Sequence, residues 1–346
     1  IFYPMRVRLT YAIVLFSGIT LTTLIPAGRL YSQMSENRLE YRGLIPQSRV
    51  VINLPGEKYL KRSRDTRIVF YALPNGNTIE QTEGENIKDP VVKAREWRYD
   101  IQHIAAQIRY LRERDKRYNY VVVYLESETK AWTSHASAYP ESPALYRKLV
   151  DTVRFMVERE LPGIAPLHRQ RVVMASHSGG GRFVFNYIRG YDSIPAFVER
   201  FAFIDSNYGY ETELHSGKLS SWLKEKPSAR YLGVYAYVDT TVILDGKRIV
   251  SSKGGTGYRA NLMASDLKSA GVKLSERRDT SFVSYNGKGV DILIKENPQG
   301  KIYHTVLVER NGLIHILLSG TPLEKRGYSF WGDRCYNQFI TERAFN

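Results

Sequence analysis

The chain has 346 residues, of which 43% are hydrophobic and 25% charged, so it is long enough to bury a large core, and disordered and fibrous classes are excluded. Its net charge of +15 would suit an anionic partner, but the basic residues are scattered and no nucleic-acid-binding motif occurs among them. We therefore expect an exported basic protein with no nucleic-acid partner. The single cysteine, Cys335, excludes an internal disulfide and a thiolate metal site, and we expect neither a metal nor another cofactor.

The N-terminal segment differs in composition from the rest of the chain. Arg6 and Arg8 precede a run without charge from Leu9 to Gly28. A basic start, an apolar stretch and small residues at its end are typical of a secretory signal, and the run is also long enough for an uncleaved anchor. We predict a signal peptide or N-terminal membrane anchor at residues 1–30 and a folded domain at 35–346. The protein would then be secreted or periplasmic, or held at a membrane by this segment.

Hydrophobic patterning along the domain alternates between the strand and helix periods. Apolar runs rich in β-branched residues predict buried strands, and apolar residues at a spacing of three to four predict helices. The predicted strands lie at 49–53, 67–73, 120–125, 172–175, 201–204, 231–238 and 304–308, the helices at 101–111, 142–161 and 256–269, and a hairpin at 281–296. This alternation predicts a single α/β domain with a mostly parallel sheet and helices on both faces. The segment from about 240 to 300 is predicted to be an elaboration between the last two core strands.

The most informative stretch follows the apolar run at 172–175. Ser176-His177-Ser178-Gly179-Gly180 leads directly into a segment with apolar residues at helical spacing. A strand that turns sharply into a helix needs small residues, and it projects the apical residue towards the helix N-terminus, which favours negative charge. The stretch resembles the nucleophile elbow of the α/β-hydrolase superfamily, with Ser178 in the nucleophile position. Ser176 occupies the place of the first glycine in that motif.

The resemblance implies that an acid and then a histidine follow the serine, each at the carboxyl end of a strand. Three histidines follow the elbow. We predict His315 as the base because it comes after the last predicted strand and past an Asn-Gly turn. His304 is the alternative, although its predicted place inside a strand is more typical of a structural histidine. His215 lies in a polar stretch and is predicted to be at the surface.

Two aspartates compete for the acid. Asp239 ends the strand before the last predicted strand, which is the commonest position in the superfamily, and we favour it. Asp205 ends the strand after the elbow and is the alternative acid. Either could also be a turn residue, the usual role of aspartate after a strand. Glu126 is a weaker rival that precedes the serine in the chain.

The superfamily also stabilises the reaction's oxyanion with two backbone N–H groups. By the resemblance, one is the N–H of Gly179, directly after the nucleophile. The second would come from the loop Pro74-Asn75-Gly76 after the strand at 67–73, and whether Asn75 or Gly76 supplies it is left open. This loop departs from the His-Gly-Gly type that is frequent in the superfamily.

The resemblance implies an exported serine hydrolase that cleaves an ester or amide through an acyl-enzyme, with a small-molecule or polymer-linked substrate. The alternative is a non-catalytic binding or scaffold protein that keeps the fold at the cell surface. Labelling of Ser178 by a fluorophosphonate would distinguish the two.

Overall fold

The computed structural model describes residues 36–343, so the signal peptide or anchor expected at residues 1–30 lies outside the described part of the chain. Ten strands form one sheet: β1 (Glu36–Arg42), β2 (Ser48–Pro55), β3 (Asp65–Ala72), β4 (Tyr118–Ser127), β5 (Gln170–His177), β6 (Val198–Ile204), β7 (Tyr231–Tyr237), β8 (Ser275–Arg278), β9 (Phe282–Gly287) and β10 (Val290–Lys295). Two short pairs lie outside it, Asn86–Ile87 with Glu342–Arg343 and Ile243–Leu244 with Lys247–Arg248.

The strand order across the sheet is β1-β2-β4-β3-β5-β6-β7-β10-β9-β8. The six inner strands from β4 to β10 run parallel. The pairs at both edges are antiparallel, β1 and β2 at one edge and β9 and β8 at the other. Since β5 lies in the middle of the parallel region, the residue at its carboxyl end has neighbouring strand ends on both sides. This is where a sheet of this type binds ligands.

Helices cover both faces of the sheet. Their bounds are α1 (Ile79–Glu83), α2 (Pro90–Arg95), α3 (Ile104–Arg114), α4 (Trp132–Ala138), α5 (Ser142–Glu160), α6 (Gly181–Arg189), α7 (Gly217–Glu225), α8 (Thr256–Ser269) and α9 (Leu313–Leu318). The helices α5 to α8 pack on one face, and α1, α3 and α9 pack on the other. No helix within residues 36–343 is both long and apolar enough to cross a bilayer.

The inner strands are apolar on both sides, as buried parallel strands require. In β3, Ile68 and Phe70 contribute to the core under α5 and α6, while Val69 and Tyr71 contribute to the core under α3 and α9. All four side chains are fully buried. The two cores fix the register of the strands, because a slip by one residue would exchange the two sets.

Most predicted elements are confirmed, including the helix at 256–269 and the hairpin at 281–296. The strand predicted at 304–308 is wrong. The last strand of the parallel region is β10, and the chain then passes through a loop into an irregular helical turn, Val308–Gly312, and α9. Leu307 and Val308 are fully buried against the face that carries α3. Their burial on a helical backbone overrides the β-propensity of the run.

Candidate active site

The turn after β5 has the geometry of a strained strand-to-helix elbow. Ser178 has a φ of +53°, a left-handed conformation that is uncommon outside glycine. The next residues approach neighbouring backbone closely. A Cβ on Gly180 would lie 2.1 Å from the carbonyl oxygen of Ala72, and one on Gly181 would lie 1.6 Å from that of Ser206. Only glycine fits at either position, so the small residues of the motif are required by packing and bring Ser178 to the edge of the sheet.

Ser176, which replaces the first glycine of the motif, is accommodated by a polar contact. Its hydroxyl lies 2.8 Å from the hydroxyl of Ser206, which in turn donates to the carbonyl oxygen of Ser176 at 3.1 Å. Both side chains are buried. The replacement therefore joins the ends of β5 and β6 and leaves the elbow intact.

Beside the elbow, the structure pairs Asp205 with His304. Asp205 is fully buried and directly follows β6, where its φ of +46° turns the chain. One of its carboxylate oxygens accepts a hydrogen bond from Nδ1 of His304 and the other accepts one from the hydroxyl of Thr256. His304 lies in the loop after β10, and its side chain is 27% exposed. The carboxylate therefore fixes the imidazole with Nδ1 protonated and leaves Nε2 available.

His304 also lies next to the residue that precedes the candidate nucleophile. Its ring centroid is 4.6 Å from that of His177. His177 is buried and donates from Nδ1 to the carbonyl oxygen of Ile204 at 2.9 Å. Burial, with a smaller contribution from His304, lowers the pKa of His177 to about 3, so this imidazole is neutral at neutral pH. A second charge beside a protonated His304 is thereby avoided.

Serine, aspartate and histidine thus follow β5, β6 and β10 in that order, at the carboxyl end of a mostly parallel sheet with helices on both faces, as the resemblance implies. The chain has an α/β-hydrolase fold. Within residues 36–343, neither the hydroxyl of Ser178 nor Nε2 of His304 has a hydrogen-bond partner. Such contacts are often long in free enzymes and tighten when substrate binds.

The predicted pair of Asp239 and His315 does not form, and Asp239 takes a different role. Its Oδ2 accepts the backbone N–H of Thr256 at 2.9 Å and lies 3.4 Å from the threonine hydroxyl. Its Oδ1 is buried without a hydrogen-bond partner in the described part of the chain. Burial raises the pKa of Asp239 to about 6. Thr256 therefore links the two candidate acids, and it is Asp205 that contacts a histidine.

His315 is in α9 and is directed away from the elbow. Its Nδ1 lies 3.0 Å from the hydroxyl of Tyr328, its Nε2 lies 3.9 Å from the carboxylate of Asp291, and its ring stacks on Phe330. Burial lowers its pKa to about 4. The helix starts immediately after the Asn-Gly turn and runs towards the amino end of the sheet. The carbonyl oxygen of Ile316 already accepts a hydrogen bond from Arg200, near the start of β6, at 2.8 Å. His315 is thus a neutral core residue.

Sequence reasoning favoured His315 over His304 because it placed a strand at 304–308. With the last parallel strand at β10, His304 falls in the loop that follows it, which is the position that the resemblance assigns to the base. The available signal was the hairpin at 281–296, whose second strand could have been taken as the last core strand. His215, expected at the surface, is buried instead and contacts the backbone of Glu211.

The loop at residues 74–76 lies against the elbow, as the oxyanion hypothesis requires. A Cβ on Gly179 would be 2.0 Å from Oδ1 of Asn75, so the asparagine side chain covers the residue after the nucleophile. The N–H of Gly76 donates to the carbonyl oxygen of Lys130 at 2.8 Å and is therefore occupied. The N–H of Asn75 has no acceptor in the described part of the chain. Of the two donors left open by the sequence, Asn75 is the one that remains available.

A buried carboxylate holds this loop in place. Glu126, at the end of β4, accepts the N–H of Ile79 at 3.0 Å and pairs with Arg49 at 3.3 Å and with Lys130. Lys130 in turn supplies the carbonyl oxygen that binds Gly76. The side chain considered as a rival acid therefore connects α1 and the loop after β4 with the loop at 74–76.

Among residues 36–343, no three His, Cys, Asp or Glu side chains gather in a way that could hold a metal ion. The only cysteine, Cys335, is half-buried, and burial raises the pKa of its thiol to about 11. The groups that meet at the candidate site are a hydroxyl, an imidazole, a carboxylate and backbone N–H groups.

No protein-family model and no curated protein sequence matches the chain. Among solved structures, it is similar to a thermostable esterase (TM-score 0.44, 13% identity, 79% of this chain and 59% of the other). It is also similar to a siderophore hydrolase from Aspergillus nidulans (TM-score 0.41, 10% identity, covering 79% of this chain and 91% of that one). A third similar structure is the feruloyl esterase module of Clostridium thermocellum (TM-score 0.40, 11% identity, covering 68% of this chain and 74% of that one). At such low TM-scores these likenesses bear on neither the site residues nor the substrate.

Proposed function

We propose that this α/β-hydrolase is a serine hydrolase that cleaves carboxylic esters through an acyl-enzyme, with Ser178 as nucleophile, His304 as general base and Asp205 as the acid that orients it. The observation that carries the proposal is the contact of the buried Asp205 with Nδ1 of His304, whose ring lies 4.6 Å from that of His177, the residue before a serine on a strained elbow. A serine hydroxyl is a poor nucleophile without such a base.

In the first half of the reaction, Oγ of Ser178 attacks the ester carbonyl carbon while Nε2 of His304 takes the hydroxyl proton. Asp205 stabilises the resulting imidazolium through Nδ1–H. The carbonyl oxygen becomes an oxyanion, and we assign the N–H groups of Gly179 and Asn75 as its donors. When the intermediate collapses, the C–O bond breaks and the leaving alcohol takes the proton from Nε2.

In the second half, a water molecule replaces the alcohol. Nε2 of His304 removes a proton from the water as its oxygen attacks the acyl carbon, and the proton then returns to Oγ of Ser178 as the acid leaves. The hydroxyl of Thr256 occupies the second oxygen of Asp205 throughout. This contact keeps the carboxylate from rotating away from the imidazole. Asp239 is outside the proton pathway and acts through Thr256.

Export belongs to the same proposal. The basic start and the apolar run of the N-terminal segment support a secreted or periplasmic enzyme, or one tethered to a membrane. N-terminal sequencing of the protein expressed with its own leader tests this. A cytoplasmic protein that retains an intact leader would contradict both versions.

Active-site labelling and turnover test the chemistry. A fluorophosphonate should label the wild type at Ser178 and fail to label Ser178→Ala, whose kcat on p-nitrophenyl esters should fall by about 10⁴-fold or more. A chain-length series of these esters, set beside the matching anilides, then defines the acyl group and separates esterase from amidase activity. A folded wild-type protein that is neither labelled nor active on either series would favour the non-catalytic binding role.

A further inference from the structure

The amino-terminal edge of the sheet, opposite the candidate active site, forms a basic face. It is built by the loops that precede the parallel strands and by the turn between β9 and β10. Ten basic side chains in these loops, at the end of α3 and in the segment after α9 are exposed: Lys58, Lys61, Arg62, Arg114, Lys116, Arg117, Lys226, Lys288, Lys325 and Arg326. Three of the ten are in ion pairs, Lys116 with Glu113, Arg117 with Asp115 and Lys325 with Glu324. The basic side chains still outnumber the acidic ones between them, so the face carries a net positive charge.

A groove of about 1510 Å³ opens on this face. Arg154, Arg171, Lys226 and Lys288 are among the residues that line it. Three guanidinium groups in the groove are already paired with carboxylates, Arg67 with Glu199, Arg171 with Asp65 and Arg154 with Asp151. The positive charge available to a partner therefore lies at the rim and on the surrounding loops.

The positive charge extends well beyond the groove. Lys61 and Arg62 lie in the loop between β2 and β3, and Lys116 lies in the loop before β4. These strands are on the opposite side of β5 from the turn that carries Lys288. A partner that contacts all of them must be broad and anionic, which describes a membrane surface better than a single small anion.

The chain enters the described domain at this same face. β1 pairs with β2 so that Glu36 lies opposite Pro55, and β2 runs antiparallel to β4, which places Pro55 near the start of β4. Ion pairs from Arg109 and Arg112 to Glu36 fix this entry point. The sequence before it contains the uncharged run that predicts an anchor or signal.

We infer that the amino-terminal edge of the sheet docks on an anionic phospholipid surface. The inference does not depend on the proposed catalysis. It follows from a broad basic face and from the position at which the N-terminal segment joins it. The candidate active site lies at the other end of β5, whose eight residues span about 25 Å, and would thus face away from the bilayer.

The test uses the full chain and two kinds of vesicle, one of phosphatidylcholine and one of phosphatidylcholine with phosphatidylglycerol. Co-sedimentation gives the ratio of partition coefficients, anionic over neutral, which separates the charge effect from any insertion of the apolar segment. One variant replaces Lys61, Arg62, Lys226 and Lys288 by Gln. A matched control replaces four exposed basic residues at or near the carboxyl end of the sheet, Lys247, Arg248, Lys253 and Lys301, by Gln.

Each basic side chain near an anionic bilayer strengthens adsorption by about fivefold, so the basic-face variant should lower the ratio by at least about tenfold even if only some of the four contact lipid. The control should lower it by less than about threefold. The wild-type ratio should also fall when NaCl is raised from about 0.05 to about 0.5 M.

Three outcomes would overturn the inference: equal effects of the two variants, a wild-type ratio near one, or tighter binding to duplex DNA than to anionic vesicles at equal phosphate concentration. Thermal unfolding of both variants establishes that the exchanged surface residues leave the fold unchanged.

Discussion

Replacing Asp205 by Asn is the sharpest perturbation of the proposed mechanism. The carboxylate is fully buried, and each of its oxygens has one partner, Nδ1 of His304 and the hydroxyl of Thr256. In the variant the amide oxygen can keep the bond from Thr256, and the amide nitrogen then faces the imidazole. An N–H donor at that position requires Nδ1 to act as an acceptor. The proton moves to Nε2, which can no longer take the proton of Ser178.

The expected loss has two parts, the wrong tautomer and the missing negative charge beside the imidazolium. Together they cost about 10⁴-fold in kcat in a triad of this kind, or about 5.5 kcal/mol of transition-state stabilisation. KM should change little, because Asp205 is buried beneath the imidazole and does not reach the substrate. Steady-state kinetics on a p-nitrophenyl ester measure both constants, and thermal unfolding checks that the variant is folded.

Asp239→Asn is the matched control, since the same substitution is made at the end of the adjacent strand. The asparagine oxygen can still accept the N–H of Thr256 that Asp239 binds at 2.9 Å. We expect a loss in kcat of less than about tenfold, caused only by a small shift of Thr256. A loss at Asp239 equal to that at Asp205, or a loss below about 10²-fold at Asp205, would refute the assignment of the acid.

Three further predictions concern the surroundings of this pair. Gly179→Ala would place a Cβ 2.0 Å from Oδ1 of Asn75, so the asparagine must move. The oxyanion donors would then shift, and kcat should fall by about 10²-fold; an unchanged kcat would exclude the loop at residues 74–76 from the oxyanion site. His315→Gln should keep kcat within about threefold and, because a buried ring loses its stacking, should lower the free energy of unfolding in a urea titration by about 1–2 kcal/mol. Loss of activity in a folded variant would restore His315 as a candidate base. Burial raises the pKa of Asp239 from 3.8 to about 6 in the folded protein, so the protonated carboxyl contributes fully to stability below about pH 4, and this contribution is lost as the pH rises through 6. Relative to Asp239→Asn, the wild type should lose about 2 kcal/mol of unfolding free energy between pH 4 and 7, and equal pH profiles of the two proteins would contradict the raised pKa.

The elbow was predictable from sequence because its determinants are local. A buried strand, a run of small residues and a helical period follow one another within 18 residues, and Gly180 and Gly181 are each required by the close approach of a neighbouring backbone. The same is true of the alternation that predicts the inner strands. Their boundaries differ from the prediction by a few residues, since the ends of strands depend on pairing with neighbours that local sequence does not reveal.

The proposed partners of the serine were harder to predict because tertiary contacts determine which histidine and which acid meet. The run from His304 to Val308 has the composition of a strand but becomes helical where Leu307 and Val308 bury against the far face of the sheet. The strand wrongly predicted there is the reason that the sequence favoured His315 over His304 as the base. Asp205 and Asp239 both end a strand, and only the position of the imidazole distinguishes their roles.

The two edges of the sheet bear on how the protein avoids self-association. At one edge, β8 is a four-residue strand, Ser275–Arg278, whose side chains are all exposed and mostly charged. At the other edge, β1 carries charged side chains that form ion pairs with its surroundings, among them Arg38 with Glu80 and Glu40 with Arg49. Charged and short edge strands resist strand-to-strand pairing between molecules. A ten-stranded sheet that is open at both ends can therefore resist edge-to-edge aggregation even at high protein concentration.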